Sequence, residues 1–112
     1  KDYFDLDVPD DNKGVLQDIH WAHGSFGYFP TYSLGSFYAA QFFHQATMDI
    51  PDLADQIAQG NTNMLLNWLR ENIHQHGRRY SAREICQKIT GESLNFKYFM
   101  DYARAKFDGI YS

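Results

Sequence analysis

The chain is poor in the features that would brace it covalently or seat it in a bilayer. A single cysteine, Cys86, stands among 112 residues. That excludes an intramolecular disulfide framework and fits a reducing compartment, so a cytoplasmic location is expected. No apolar run approaches the roughly 20 residues of a membrane-spanning helix, and the start has no charged-then-apolar signal pattern. No membrane partner is expected. Basic residues are outnumbered, 10 Lys and Arg against 14 Asp and Glu, for a net charge of −4. Both signs are interspersed, without the basic stripe of a phosphate-tracking protein, so no nucleic-acid partner is expected. Prolines number three, and strand-like alternation, internal repeats and low-complexity segments are missing.

What is present is apolar surface and helix punctuation. Aromatic residues make up 17% of the chain, plentiful for a length that suffices for one domain with a modest core. Residues 14–21 read Gly-Val-Leu-Gln-Asp-Ile-His-Trp, and residues 27–35 read Gly-Tyr-Phe-Pro-Thr-Tyr-Ser-Leu-Gly. No other stretch concentrates so much chemistry: an amide, a carboxylate, an imidazole of the type that titrates near neutrality, and a flat indole wall. Two helical turns over residues 14–21 would set Val15, Leu16 and Ile19 on one arc, facing a core. Gln17, His20 and Trp21 would share the opposite arc, with Asp18 between.

These segments resemble the thermostable (Taq-type) zinc metallocarboxypeptidases, helical enzymes that remove C-terminal amino acids from peptides. Gly14, Gln17, Asp18, His20 and Trp21 match the Gly-x-x-Gln-Asp-x-His-Trp motif at every fixed position. The likeness continues through Tyr38-Ala39-Ala40-Gln41 and Thr90-Gly91-Glu92-Ser93-Leu94. The family's zinc site, a His-Glu-x-x-His helix with a downstream Glu, does not occur in this sequence. The resemblance therefore implies that residues 1–112 are a single helical fragment, the C-terminal part of a carboxypeptidase catalytic domain. It implies an all-α fold, a multi-helix segment of a larger metallopeptidase. Zinc or another divalent metal is expected in the full-length enzyme and none in this fragment.

The resemblance also implies site roles. His20 is the expected catalytic residue, reaching into the active-site groove to bond the substrate or the developing oxyanion. Gln17, Asp18, Trp21, Tyr28 and Tyr32 are the expected substrate-binding residues, with Asp18 able to fix a ring tautomer and Gln17 to orient Trp21 or a neighbouring loop. The implied partners are the C-terminus of a peptide substrate, the remainder of the catalytic domain and a second copy in a homodimer. An independent helical protein-interaction module is the alternative function. His23 lies three residues beyond His20, where a glycine loop begins, at a position that the motif leaves open. Changing it is expected to alter activity by less than about threefold.

Along the rest of the chain, residues 1–6 read as the tail of a helix. Residues 7–13 carry the proline, aspartates and asparagine of a turn, without the central glycine and terminal glutamate of a calcium loop. Residues 22–33 read as an aromatic loop in which Phe26 and Phe29 pack while Tyr28 and Tyr32 keep their hydroxyls at a cleft edge. A helix over residues 34–49 is apolar almost all round, with Gln41, Gln45 and Asp49 as its polar stripe, and is expected to be buried on several sides. Pro51 fits the first turn of a helix ending before Gly60, and Asn61 or Thr62 can cap the next, which stops at Gly77. Ser81 and Glu84 fit a capping box closed by Gly91. Asn95 can cap a last helix carrying Phe96, Phe99, Met100, Ala103 and Phe107 as an apolar stripe. His20, His23, His44, His74 and His76 do not have the spacing of a closed zinc site. Cys86, beside Ile85 and Ile89, reads as packing.

Overall fold

A computed structural model describes residues 6–111. The described residues form six α-helices, α1 (Ile19–Ala22), α2 (Pro30–Asp49), α3 (Leu53–Ala58), α4 (Asn63–Asn72), α5 (Ala82–Thr90) and α6 (Lys97–Tyr111). Three short 3-10 turns, Asp11–Lys13, Val15–Gln17 and His74–His76, accompany them, and no strand occurs among the described residues. The fold is all-α. The expected helix tail over residues 1–6 lies almost wholly outside the described residues, and Leu6 itself is not helical. The chain divides into two units, Lys1–Ser33 and Leu34–Ser112, with the boundary inside α2.

In the first unit, Asp10 opens the Asp11–Lys13 turn, its carboxylate accepting from the Lys13 N–H at 2.9 Å. That is the local side-chain bond expected of the aspartate-rich stretch. The two continuous helical turns expected over residues 14–21 do not form. Asp18 adopts extended backbone (φ −80°, ψ 112°) and caps α1 with its side chain. An Asp at this position gains more by accepting from free backbone N–H groups than by continuing a helix. The two-arc arrangement is lost as a result: Val15, Leu16 and Ile19 are exposed instead of facing a core. A Cβ at Gly14 would lie 2.6 Å from Val8 Cγ1, the end of an exposed side chain that would have to turn aside.

The second unit is held around Ala46 of α2, Leu53 of α3 and Trp68 of α4, with Phe42, Ile57, Leu65 and Ile89 packed against them. Which face of α2 turns inward differs from the sequence expectation. Gln41, from the polar stripe, is only 1% exposed. Its amide donates to Thr90 Oγ1 at 3.1 Å and to the Ser93 carbonyl at 3.2 Å, and its oxygen accepts the Asn95 N–H at 2.8 Å. Asp49, at the end of the same stripe, accepts from Trp68 Nε1 at 2.7 Å. The stripe is thus the clamp that binds α2 to α4 and to the α5–α6 connection. Phe43 and Met48, on the apolar remainder, are exposed, so α2 is not buried on several sides within this chain.

The punctuation of the later helices matches its local chemistry. Ser81 and Glu84 form the reciprocal capping box, and Gly91 ends α5 at φ 76°. The bonds from Ser81 hold the Glu84 carboxyl below its ordinary value. Asn95 Oδ1 accepts from the Lys97 N–H at 3.0 Å to start α6. Asn61, and not the adjacent Thr62, accepts at the start of α4, from the Asn63 N–H at 3.3 Å. Pro51 lies in the turn before α3 rather than inside its first turn. Cys86 is fully buried, and burial pushes its thiol up from the ordinary range.

Candidate functional site

The chemistry of the first unit collects around His20. Asp18 Oδ1 accepts the His20 backbone N–H at 2.7 Å and also lies 3.1 Å from His20 Nδ1. One carboxylate therefore starts the helix and orients the ring it carries. Desolvation works to raise the Asp18 pKa, but bonds from the His20 backbone and ring and from the Trp21 backbone outweigh it. The carboxyl is held below its ordinary value and stays an acceptor. An ionised carboxylate has no proton to give, so Nδ1 carries the hydrogen and Nε2 is turned toward the far side of the ring. There it meets the Tyr32 hydroxyl at 3.1 Å. The result is a continuous chain of carboxylate, imidazole and phenol.

The loop brings Tyr32 within reach of His20. Gly24 and Gly27 take positive φ, 80° and 73°, conformations that side-chain-bearing residues resist. The Ser25 N–H returns to the His20 carbonyl at 2.8 Å. Pro30 then opens α2 four residues earlier than expected, at the helix position where a missing N–H costs nothing. Tyr32 consequently sits in the first helical turn rather than in a loop.

Rings complete the surroundings. Tyr28 stacks on the His20 ring (centroids 5.4 Å, interplanar 22°), and Phe29 meets its edge at 5.0 Å. Tyr28 and Tyr32 stand perpendicular at 5.2 Å. Such pairs contribute about 0.5–1.5 kcal/mol each beyond area burial, which helps to order a loop that has little core. The expectation that Phe26 and Phe29 pack away is not met: both are exposed, Phe26 by 70%. Phe26 lies edge-on to Trp21 at 4.9 Å, and the pair covers itself rather than a core.

His20, Tyr28 and Tyr32 line one pocket of about 290 Å³, and His23 and Ser25 line it with them. Asp18 stands behind His20. Gln17 and Trp21 do not line this pocket. Gln17 donates to the Asn12 carbonyl, which fastens it to the preceding turn, and Trp21 faces Phe26. His23, Ser25 and Phe29 belong to the surroundings of His20 without having been expected there. The signal for His23 was its i, i+3 spacing from His20, and the two rings do lie 5.8 Å apart. Among the described residues, no three His, Cys, Asp or Glu side chains gather around a common point.

A family model described as Carboxypeptidase Taq (M32) metallopeptidase matches residues 1–107. The chain belongs to that family. Carboxypeptidase 1 of Bacillus subtilis (strain 168) is 40% identical over 111 residues, which cover 99% of this chain and 22% of that protein. Among solved structures, the structure of CHT is 64% identical with a TM-score of 0.77, covering 95% of this chain and 22% of that one. The BsuCP crystal structure is 40% identical with a TM-score of 0.83, covering 99% of this chain and 22% of that one. This M32 chain thus spans 22% of the length of the curated relative it matches.

Proposed function

We propose that residues 1–112 form one helical fragment, the C-terminal part of the catalytic domain of a metallocarboxypeptidase that hydrolyses C-terminal amino acids from peptides. The fragment supplies groove-wall groups, and the divalent metal, zinc by the resemblance, is held by residues outside this chain. The observation that carries the reading is the Asp18–His20–Tyr32 hydrogen-bond chain. A ring fixed at Nδ1 by a carboxylate presents Nε2 in one orientation. When both ring nitrogens carry protons, Nε2–H is a donor for a substrate oxygen, and the Tyr32 hydroxyl, no longer directed at Nε2, donates beside it. A donor aimed where charge grows in the transition state is worth about a hundredfold in rate. Tyr28, stacked on the imidazole, keeps the ring from turning and offers a second hydroxyl to the substrate's terminal residues. Gln17 and Trp21 support the wall from its rim. Homodimer assembly and a cytoplasmic location belong to the same proposal.

In the full-length enzyme, His20→Ala should lower kcat/KM by about 10²-fold or more with metal content unchanged. Metal loss in that variant would make His20 a ligand or its direct support. An effect below about threefold would reduce it to a structural histidine.

A second reading draws on a different observation. An apolar groove of about 670 Å³, lined by Ala39, Ala40, Phe43 and Thr47 of α2 and by Phe99 and Tyr102 of α6, lies open in the second unit. An independent interaction module would bind a partner there; under the leading proposal the remaining catalytic domain covers it. A His-Glu-x-x-His segment upstream in the same reading frame decides for the enzyme, and an unrelated upstream domain or a stop decides for the module.

A further inference from the structure

Ser25 Oγ lies 2.8 Å from His23 Nδ1. This is a second imidazole oriented by a local partner, three residues after the first. In the tautomer whose Nδ1 accepts from the serine hydroxyl, the ring proton lies on Nε2, and His23 has an N–H to give to a ligand. The pocket walls are then two imidazoles, two phenols and a serine hydroxyl, and no carboxylate among the described residues lines them. The nearest acid, Asp18, is set behind His20, its Oδ1 already accepting from the His20 backbone and facing the ring nitrogen. A wall that offers the His23 Nε2–H and the Tyr28 hydroxyl as donors, with no carboxylate competing among the described residues, suits a group that only accepts. At the end of a peptide that group is a carboxylate.

Building on the groove-wall proposal, we infer that His23, held by Ser25, is a specificity-determining residue of the His20 pocket that binds a carboxylate of the peptide substrate. His20 acts on the reacting bond and His23 on affinity, so replacing His23 costs more than the threefold that its open motif position implies. The carboxylate has two sources, an acidic side chain on the terminal residue or the terminal carboxylate itself. The pocket lining admits either, since its polar groups come both from residues 20–25 and from residues 28–32.

The two histidines are separated by measuring kcat and KM apart, in the full-length enzyme, on a peptide pair that ends in Glu or in Gln. A charge-assisted hydrogen bond lost on binding corresponds to roughly a tenfold rise in KM. His23→Ala should show that rise with kcat within about threefold, Ser25→Ala a smaller rise in the same direction, and His23→Gln a partial rescue through its amide N–H. A rise confined to the Glu-ended peptide assigns the site to acidic side chains. An equal rise for both, with inhibition by a C-terminally amidated peptide left unaltered, assigns it to the terminal carboxylate. Melting temperatures of the variants check that each is folded, as expected for an exposed ring. KM unchanged on both peptides, while His20→Ala lowers kcat, overturns the role of His23 and leaves the groove wall standing. Silence of both histidines overturns both proposals together.

Discussion

Gln41 and His20 are both polar side chains with hydrogen bonds at two atoms, yet they sit in opposite surroundings. Gln41 is buried, and its partners are 49 to 54 residues away in sequence. His20 is only part-buried, and its partners Asp18 and Tyr32 are 2 and 12 residues away. The first arrangement joins distant elements and is satisfied within the protein. The second is assembled within one loop and faces a pocket. A buried amide that stitches helices is best read as architecture. An imidazole oriented from behind and open in front is best read as chemistry. The contrast makes separable demands: removing the first should cost stability, and removing the second should cost activity.

The largest test of that separation is Gln41→Leu. The substitution takes the partner from the part-buried Asn95 N–H and Ser93 carbonyl bonds, at about 1–3 kcal/mol for each group that water does not reach. Urea denaturation of the chain should therefore show a loss of about 3 kcal/mol, and a loss under about 1 kcal/mol would mean that water replaces the amide. His20→Ala should do the reverse. Its activity loss in the full-length enzyme corresponds to about 2.7 kcal/mol on the transition-state scale, while the unfolding free energy should fall by only about 1 kcal/mol, the contribution of its pairs with Tyr28 and Phe29. A comparable fall in stability would place His20 with Gln41.

Smaller effects sharpen the boundary. Ser81→Ala removes the α5 cap and should cost about 1 kcal/mol, visible in thermal melting and absent from kinetics. The weakest effect is the acid limb. The carboxyls of Asp18 and Glu84 are both held below their ordinary values by hydrogen bonds. The stability they lend is complete above the unfolded-state values near pH 4 and is lost as pH falls through the lower folded-state values. Melting temperature should decline below about pH 4, and the decline should flatten in Asp18→Asn and in Glu84→Gln. An unaltered slope in both variants would show that other carboxyls govern acid unfolding.

What could be read from the sequence follows the range of the interactions. The capping box at Ser81 and Glu84, the stop at Gly91 and the Asn95 cap are signals written within four residues, and each appears in the structure. The all-α class follows from the same punctuation. The segment over residues 14–21 departs from its helical periodicity because Asp18 caps α1 instead of continuing a helix, and that capping habit is itself a local signal. The inward face of α2 was beyond local reading. Gln41 looks like a solvent-facing residue until Thr90, Ser93 and Asn95 are brought to it, and nothing at positions 34–49 announces them. In the site, the motif pointed to His20 and Asp18. The meeting of His20 with Tyr32 depends on two positive-φ glycines and on Pro30 starting α2, a geometry that residue types alone do not specify. The glycine after His23 suggests that the chain carries the second histidine away from the first, whereas the loop returns through the Ser25 N–H to the His20 carbonyl.

The burial of Cys86 makes the chain a reporter of its own opening. It is the single thiol in the sequence, it has no exposed surface, and its thiolate is disfavoured by burial. A thiol reagent added to the folded chain has one target, and that target reacts only after the surroundings of α5 have parted. With reagent dilute and reclosing fast, the labelling rate reads the population of the open form. With reagent in excess, it reads the opening rate itself. The same measurement made with the remaining catalytic domain present would count how many openings that domain suppresses.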